Sequence, residues 1–163
     1  MNLSKSHPRF RLPKVVLACA VAALVCVSCG KDDDVEPAAV VGHWQGTQAV
    51  IRVQLDGTAL PYEQTDDDFN PVVEFRGDGT MRLEQNGNTR TGNYTISGNT
   101  LTIRSLPFET SYLTVYGEYT VLEASTTTLV LETNKHDSAV DPQTGLKITG
   151  QVKATLRFSK IMG

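Results

Sequence analysis

The chain reads as an all-β protein: an eight- to nine-stranded antiparallel up-and-down barrel behind an N-terminal leader. Three observations predict this. Beyond Val40, apolar and polar residues alternate in run after run, the pattern of strands with one face in a core and one in water. Thr, Val, Ile and Tyr, which suit a pleated surface, dominate these runs. Between them recur Gly77-Asp78-Gly79, Asn86-Gly87-Asn88 and Ser97-Gly98-Asn99, and Gly and Asn tolerate the positive φ that tight hairpins demand. No window carries a sustained helical stripe.

The leader comes first. Lys5, Arg9, Arg11 and Lys14 precede an apolar run from Val15 to Val27 and then small Ser28, the order of a secretory signal peptide. The run is short for a membrane span, which needs roughly 20 apolar residues. Cys29 follows directly, an arrangement that resembles a bacterial lipoprotein signal and implies cleavage after Ser28 and lipidation of Cys29. Cys26 would put Val25 at the cut, and Cys19 leaves almost no apolar segment upstream. One departure is that Cys26 stands where such signals usually carry Leu. Cleavage would remove Cys19 and Cys26, leaving no thiol pair, so the domain must be held by its own core. Each buried acyl methylene contributes about 0.8 kcal/mol, and several chains anchor firmly.

Lys31-Asp32-Asp33-Asp34 resembles the acidic sorting signal of Bacteroidota-type surface lipoproteins. That implies a lipid-anchored protein of the outer membrane, facing the cell exterior. The expected organisation is a signal peptide over 1–28, a lipidated acidic tether over 29–40 and one domain over 41–163, with Val35–Val40 a short linker. From residue 29 onward eleven Lys and Arg face eighteen Asp and Glu, a formal charge of −7. A chain this acidic without a basic stripe argues against nucleic acid and against direct adhesion to anionic lipid.

Along the domain, Ile51, Val53 and Leu55 alternate with Arg52 and Gln54. Val73 and Phe75 alternate with Glu74 and Arg76, and Met81 and Leu83 with Arg82 and Glu84. Leu101 and Ile103 flank Thr102, and Leu129 and Leu131 bracket Val130. Val152, Ala154, Leu156 and Phe158 share one face opposite Lys153, Thr155, Arg157 and Ser159. Sequential strands joined by short turns make an antiparallel meander, with longer connections expected at Tyr62–Pro71 and Lys135–Gly145. Eight such strands can close and remove their edges; a two-sheet sandwich is the alternative.

Gly42-His43-Trp44 opens the first strand, and Arg157 lies on the last within Thr155-Leu156-Arg157-Phe158. Val73–Thr80, Gly92-Asn93-Tyr94-Thr95-Ile96 and Leu101-Thr102-Ile103 fall between them. This order resembles the lipocalin-like domains of Bacteroidota lipoproteins, over Val41 to Ile161. The resemblance implies that Trp44 packs beneath Arg157 to close one barrel end, a contact of about 0.5–2 kcal/mol, with Gly42 beside them. It also implies a small apolar or amphipathic ligand in the barrel. The chain departs from lipocalins in lacking a C-terminal helix, a disulfide and a Thr-Asp-Tyr motif. Phe75, Tyr94, Tyr112, Tyr116 and Tyr119 are the candidate pocket residues, since a phenol offers an apolar ring and a polar tip. Small barrels are also often filled by their own side chains.

Catalytic patterns are sparse, and no enzyme, metal or cofactor is expected. His43 and His136 are the histidines beyond the leader, and no His-x-x-x-His pair or cysteine cluster suits zinc. Lys135-His136-Asp137-Ser138 holds triad residue types, but adjacency in sequence does not make triad geometry. No nucleophile elbow or phosphate loop occurs. Asp66-Asp67-Asp68 lacks the spacing of an EF-hand and reads as an acidic loop tip. Arg76-Gly77-Asp78 spells an adhesion tripeptide but is explained by a hairpin turn. Asp137-Ser138-Ala139 resembles the O-glycosylation acceptor of exported Bacteroidota proteins, with Ser138 as its site. The expectation is a membrane-anchored ligand-binding module; the alternative is an accessory module with a filled barrel that meets an envelope protein.

Overall fold

The alternating runs lie on strands that close on themselves. The computed structural model describes residues 34–58, 61–140 and 147–162, with backbone alone for 137–140 and 147–148. A single helical turn, α1 (Pro37–Val40), leads into β1 (Gly42–Leu55), β2 (Tyr62–Asp66), β3 (Val72–Phe75) and β4 (Thr80–Gln85). Then follow β5 (Asn88–Ser97), β6 (Thr100–Glu109), β7 (Thr114–Ala124), β8 (Thr128–Val140) and β9 (Lys147–Lys160). The sheet order is β2-β1-β3-β4-β5-β6-β7-β8-β9, and a β1–β9 pairing closes it. The described pairings are antiparallel.

β1 holds the closure together. One of its edges runs along β9 from Trp44↔Lys160 to Leu55↔Gly150. Its other edge pairs first with β3, at Gly42–Gln45, and then with β2, at Ala49–Val53. β2 and β3 thus form one broken stave of an eight-stave barrel. At the break, Phe69 turns inward and is buried. Gly46 makes room for it: a Cβ there would stand 2.5 Å from Pro71 Cδ and 2.9 Å from Phe69 Cε1.

Three expected connections are different in the structure. Tyr62–Asp66 is a strand rather than part of a long loop; of its residues only Asp66 is buried, so no apolar alternation marks it. Lys135–Val140 continues β8, paired through Ser138↔Thr149 to Val140↔Lys147. The backbone of Ser138 therefore sits in a ladder and not in a connection. The Val35–Val40 linker contains α1, whose Val40 is fully buried. Proline at its start costs no helical hydrogen bond.

The register of β6 slips against β7 between Ile103 and Phe108. Ser105 takes φ 68° in this bulge, which also accommodates Pro107 where no ladder donor is needed. The core comprises Trp44, Phe75, Met81, Leu83, Leu101, Leu129, Leu131 and Leu156 among others. At mid-barrel Phe69 meets Phe158 edge-on at 5.6 Å and Phe108 at 6.3 Å. Phe108 meets Phe158 at 5.5 Å and Tyr119 at 5.9 Å. Each such pair adds about 0.5–1.5 kcal/mol beyond the area it buries.

Candidate functional site

Cross-strand partners share a face of the sheet, so the register sorts the wall β2-β1-β9-β8 into rows. Facing inward, Asp66, Ala49, Leu156 and Leu131 form a buried row. The next row toward the β1–β2 turn is Gln64, Ile51, Ala154 and Thr133, with the last three buried. Above it come Tyr62, Val53, Val152 and Lys135; here Tyr62 is 62 % exposed. The interior therefore passes from a dry aromatic core to a shallow cup within two rows.

The five candidate pocket residues divide. Phe75, Tyr94 and Tyr119 are buried in the interior, but as packing. Phe75 and Tyr94 stand edge-on at 4.9 Å. The Tyr94 hydroxyl donates to Arg76 O at 2.7 Å and that of Tyr119 to Val115 O at 2.9 Å, so their polar tips are satisfied by backbone. Burial pushes both phenols up from their ordinary pKa, with Asp78 adding to the effect at Tyr94. Tyr112 and Tyr116 are 51 % and 56 % exposed and stand outside the buried core. Tyr112 lies on the β6–β7 turn, its hydroxyl donating to Thr65 O. The Tyr116 ring lies beneath Lys135 Nζ at 4.0 Å, and that ammonium donates to Tyr116 O.

At the closed end the cation over Trp44 is Lys160 and not Arg157. Trp44 is fully buried, and its indole N–H donates to Val40 O at 2.8 Å. Above the ring stands Lys160 Nζ, 4.8 Å from the centroid, which also donates to Val41 O. Arg157 is exposed on the opposite face of β9, because it is an odd number of residues from Lys160 and side chains alternate. Gly42 is required here: its φ is +142°, and a Cβ would lie 2.7 Å from Lys160 Cε. Val35 N–H donates to Asn99 Oδ1, and Ile161 N–H to His43 O, so both flanks of the barrel are tied to this end.

Outside the same wall lies a groove of about 370 Å³. Its floor is the outward row Glu63, Arg52 and Lys153, then Val50, Thr155 and Glu132. Arg157 and Leu122 complete it, the latter 54 % exposed. Arg52 pairs with Glu63, and Lys153 Nζ with Glu132 at 2.9 Å. Sequence reasoning missed this site because its members are ordinary outward residues until the register brings them together. Cys29 and the leader lie outside the described residues.

Residues 40–131 match the family model for a lipocalin-like domain. The chain belongs to this family. Its barrel is of a ligand-binding kind. A solved protein of unknown function from Nostoc punctiforme PCC 73102, of the DUF3598 family, is similar at 14 % identity. The match covers 79 % of this chain and 50 % of that one, with a TM-score of 0.32, so this chain spans about half that protein's length. No curated protein matches the sequence.

Several polar groups of this lipocalin-like domain outside the groove are engaged in structural roles. Arg76 Nε and Nη2 both donate to Glu74, at 2.8 and 2.7 Å, and His43 Nε2 lies 3.2 Å from the same carboxylate. Hydrogen bonds from Arg76 and then His43 lower the Glu74 pKa to about 2. In the acidic run, buried Asp66 accepts Ser111 N–H at 2.6 Å and Asp68 N–H at 3.2 Å. It latches the broken stave to the β6–β7 turn. His136 Nε2 faces Asp56 at 3.2 Å on exposed surface. Among the described residues no three His, Cys, Asp or Glu side chains converge as a metal site.

Proposed function

We propose that this lipocalin-like protein is a non-enzymatic binding module, anchored through Cys29 to the outer membrane and facing outward, whose recognition surface is the outside of a filled barrel. The observation that carries the reading is the aromatic cluster of Phe69, Phe108, Phe158 and Tyr119, which occupies the mid-barrel volume where a lumenal ligand would sit. Admitting an apolar ligand there would require moving side chains that pack edge to face, and close-packed interiors resist such changes. The partner on this reading is another envelope component. The leader of basic residues, apolar run and Ser28-Cys29 supports the anchor, and the acidic tether supports the outward face.

A titration with a fluorescent fatty acid tests the reading. The wild-type protein is expected to show no saturable binding, whereas Phe69→Ala, which opens a cavity beside Phe108 and Phe158, should gain it. Saturable wild-type binding from which unlabelled fatty acid displaces the probe would overturn the filled-barrel reading. A second reading is favoured by the row Tyr62, Val53, Val152 and Lys135: an amphipathic ligand resting in the cup with its anionic head at Lys135. It predicts wild-type binding that Lys135→Ala weakens.

A further inference from the structure

We propose that the outer groove on β2-β1-β9-β8-β7 recognises an acidic peptide segment of a partner protein, two carboxylates flanking an apolar side chain. This rests on the reading of the barrel's outside as the recognition surface and supplies the partner's chemistry. The first observation is a repulsive arrangement kept in the sheet. Arg52 and Lys153 are direct cross-strand partners on the outward face, and like charges so placed destabilise a sheet pair. Each is partly neutralised from its outer flank, Arg52 by Glu63 and Lys153 by Glu132. Neither carboxylate stands between the two cations.

The second observation is charge balance. The groove carries Arg52, Lys153 and Arg157 against Glu63 and Glu132, a cationic excess on a chain whose residues 29–163 carry a formal −7. Arg157 is exposed and makes no ion pair among the described residues. Glu132 is engaged by Lys153 and by Thr155 Oγ1, which donates to its Oε2 at 3.3 Å, and forms no ion pair with Arg157. The third is the apolar component. Leu122, at the slip in the β7–β8 register, projects 54 % exposed into the groove, and Val50 forms part of the floor. A bare anion would leave Leu122 unused, whereas an acidic peptide segment uses both features. A guanidinium binds a carboxylate through two parallel hydrogen bonds, so Arg157 is the principal anchor.

The test is fluorescence anisotropy with a fluorescein-labelled peptide in which two Glu flank a Leu, using the whole protein. Arg157→Glu is expected to weaken binding about tenfold or more, since reversal replaces attraction by repulsion, and Leu122→Ser should weaken it independently. Arg104→Glu, exposed on β6 outside the groove, should not. A Lys-substituted peptide should fail to bind. Absence of binding by the acidic peptide overturns the proposal, as does equal weakening by Arg157→Glu and Arg104→Glu, which would indicate general charge attraction. All variants are on the surface, and retained thermal melting excludes misfolding. The fatty-acid titration run in parallel separates the failures: lumenal binding defeats the filled-barrel reading, while a peptide that ignores the groove in a barrel that excludes fatty acid defeats this inference alone.

Discussion

The two ends of the barrel are built differently. At the closed end, Val40 and Trp44 are fully buried, Lys160 covers the indole, and Asn99 and His43 tie down the segments entering and leaving the barrel. At the other end, the same strands β1 and β9 rise past the core into a cup whose Tyr62 is mostly exposed. Its ties are polar contacts between turns and strand ends: Asp66 to Ser111, Gln85, Asn86 and Arg90 to Glu109, Tyr112 to Thr65, and an exposed His136–Asp56 contact. The closed end is thus held by buried apolar groups around Trp44, and the open end by polar contacts between its turns. The upper wall and its outer face are then free to carry charges and exposed side chains that contribute little to folding.

The contrast can be broken most sharply by truncating one aromatic at each end. Trp44→Ala should cost about 3–5 kcal/mol, the usual loss for a buried tryptophan, whereas Tyr62→Ala should stay within about 0.5 kcal/mol. Denaturant midpoints at unchanged slope measure both. Comparable losses would mean that the cup is as integral to the fold as the closed end. Next in size, Asp66→Ala removes a buried carboxylate that accepts half-buried hydrogen bonds from the Ser111 and Asp68 N–H groups and should cost about 1–3 kcal/mol, as hydrogen bonds to a charged group do. Hydrogen exchange at Ser111 should rise with it.

A finer comparison sets the two basic residues of β9 against each other. Lys160→Met removes the cation over Trp44 and should cost about 0.5–2 kcal/mol, while Arg157→Met should leave the melting temperature unchanged. If instead Arg157→Met destabilises and Lys160→Met does not, the closed end has been assigned the wrong cation. The smallest effect is acid dependence. The folded-state pKa of Glu74 is lowered to about 2 from 4.5, so its contribution is complete above the unfolded value and fades as pH falls from 4.5 toward 2. Glu74→Gln should flatten that part of the stability curve. At the alkaline limit the sign is set by Tyr119, whose raised pKa means stability falls as pH rises above 10.

Much of the barrel could be read before the structure. The alternation of Val152, Ala154, Leu156 and Phe158, and the Gly-Asn turns, suffice for paired strands with one dry face. β2 escaped because its residues face the cup or solvent, so Tyr62–Asp66 lacks an apolar repeat even though β1 supplies its hydrogen bonds. Phe69 was hidden as a single aromatic in the polar run Asp66-Asp67-Asp68-Phe69-Asn70-Pro71. The cation over Trp44 is more instructive. Parity already put Arg157 on the outer face and Lys160 with Phe158 on the inner one, yet the motif drew attention to Arg157. Tyr112 and Tyr116 illustrate the converse, since residue type suggested a buried pocket while both are more than half exposed, outside the core. The groove needed the β1–β9 register, because nothing in the sequence says that Arg52 lies opposite Lys153.

The most direct test of the central claim, that the barrel is filled and recognition lies outside it, is native mass spectrometry of the protein purified from its own host's envelope, before and after denaturation. The account predicts one mass for the folded chain with its covalent modifications, unchanged by denaturation. An additional mass released on unfolding, lost from Phe108→Trp but retained by Arg157→Glu, would place a ligand inside the barrel and contradict it.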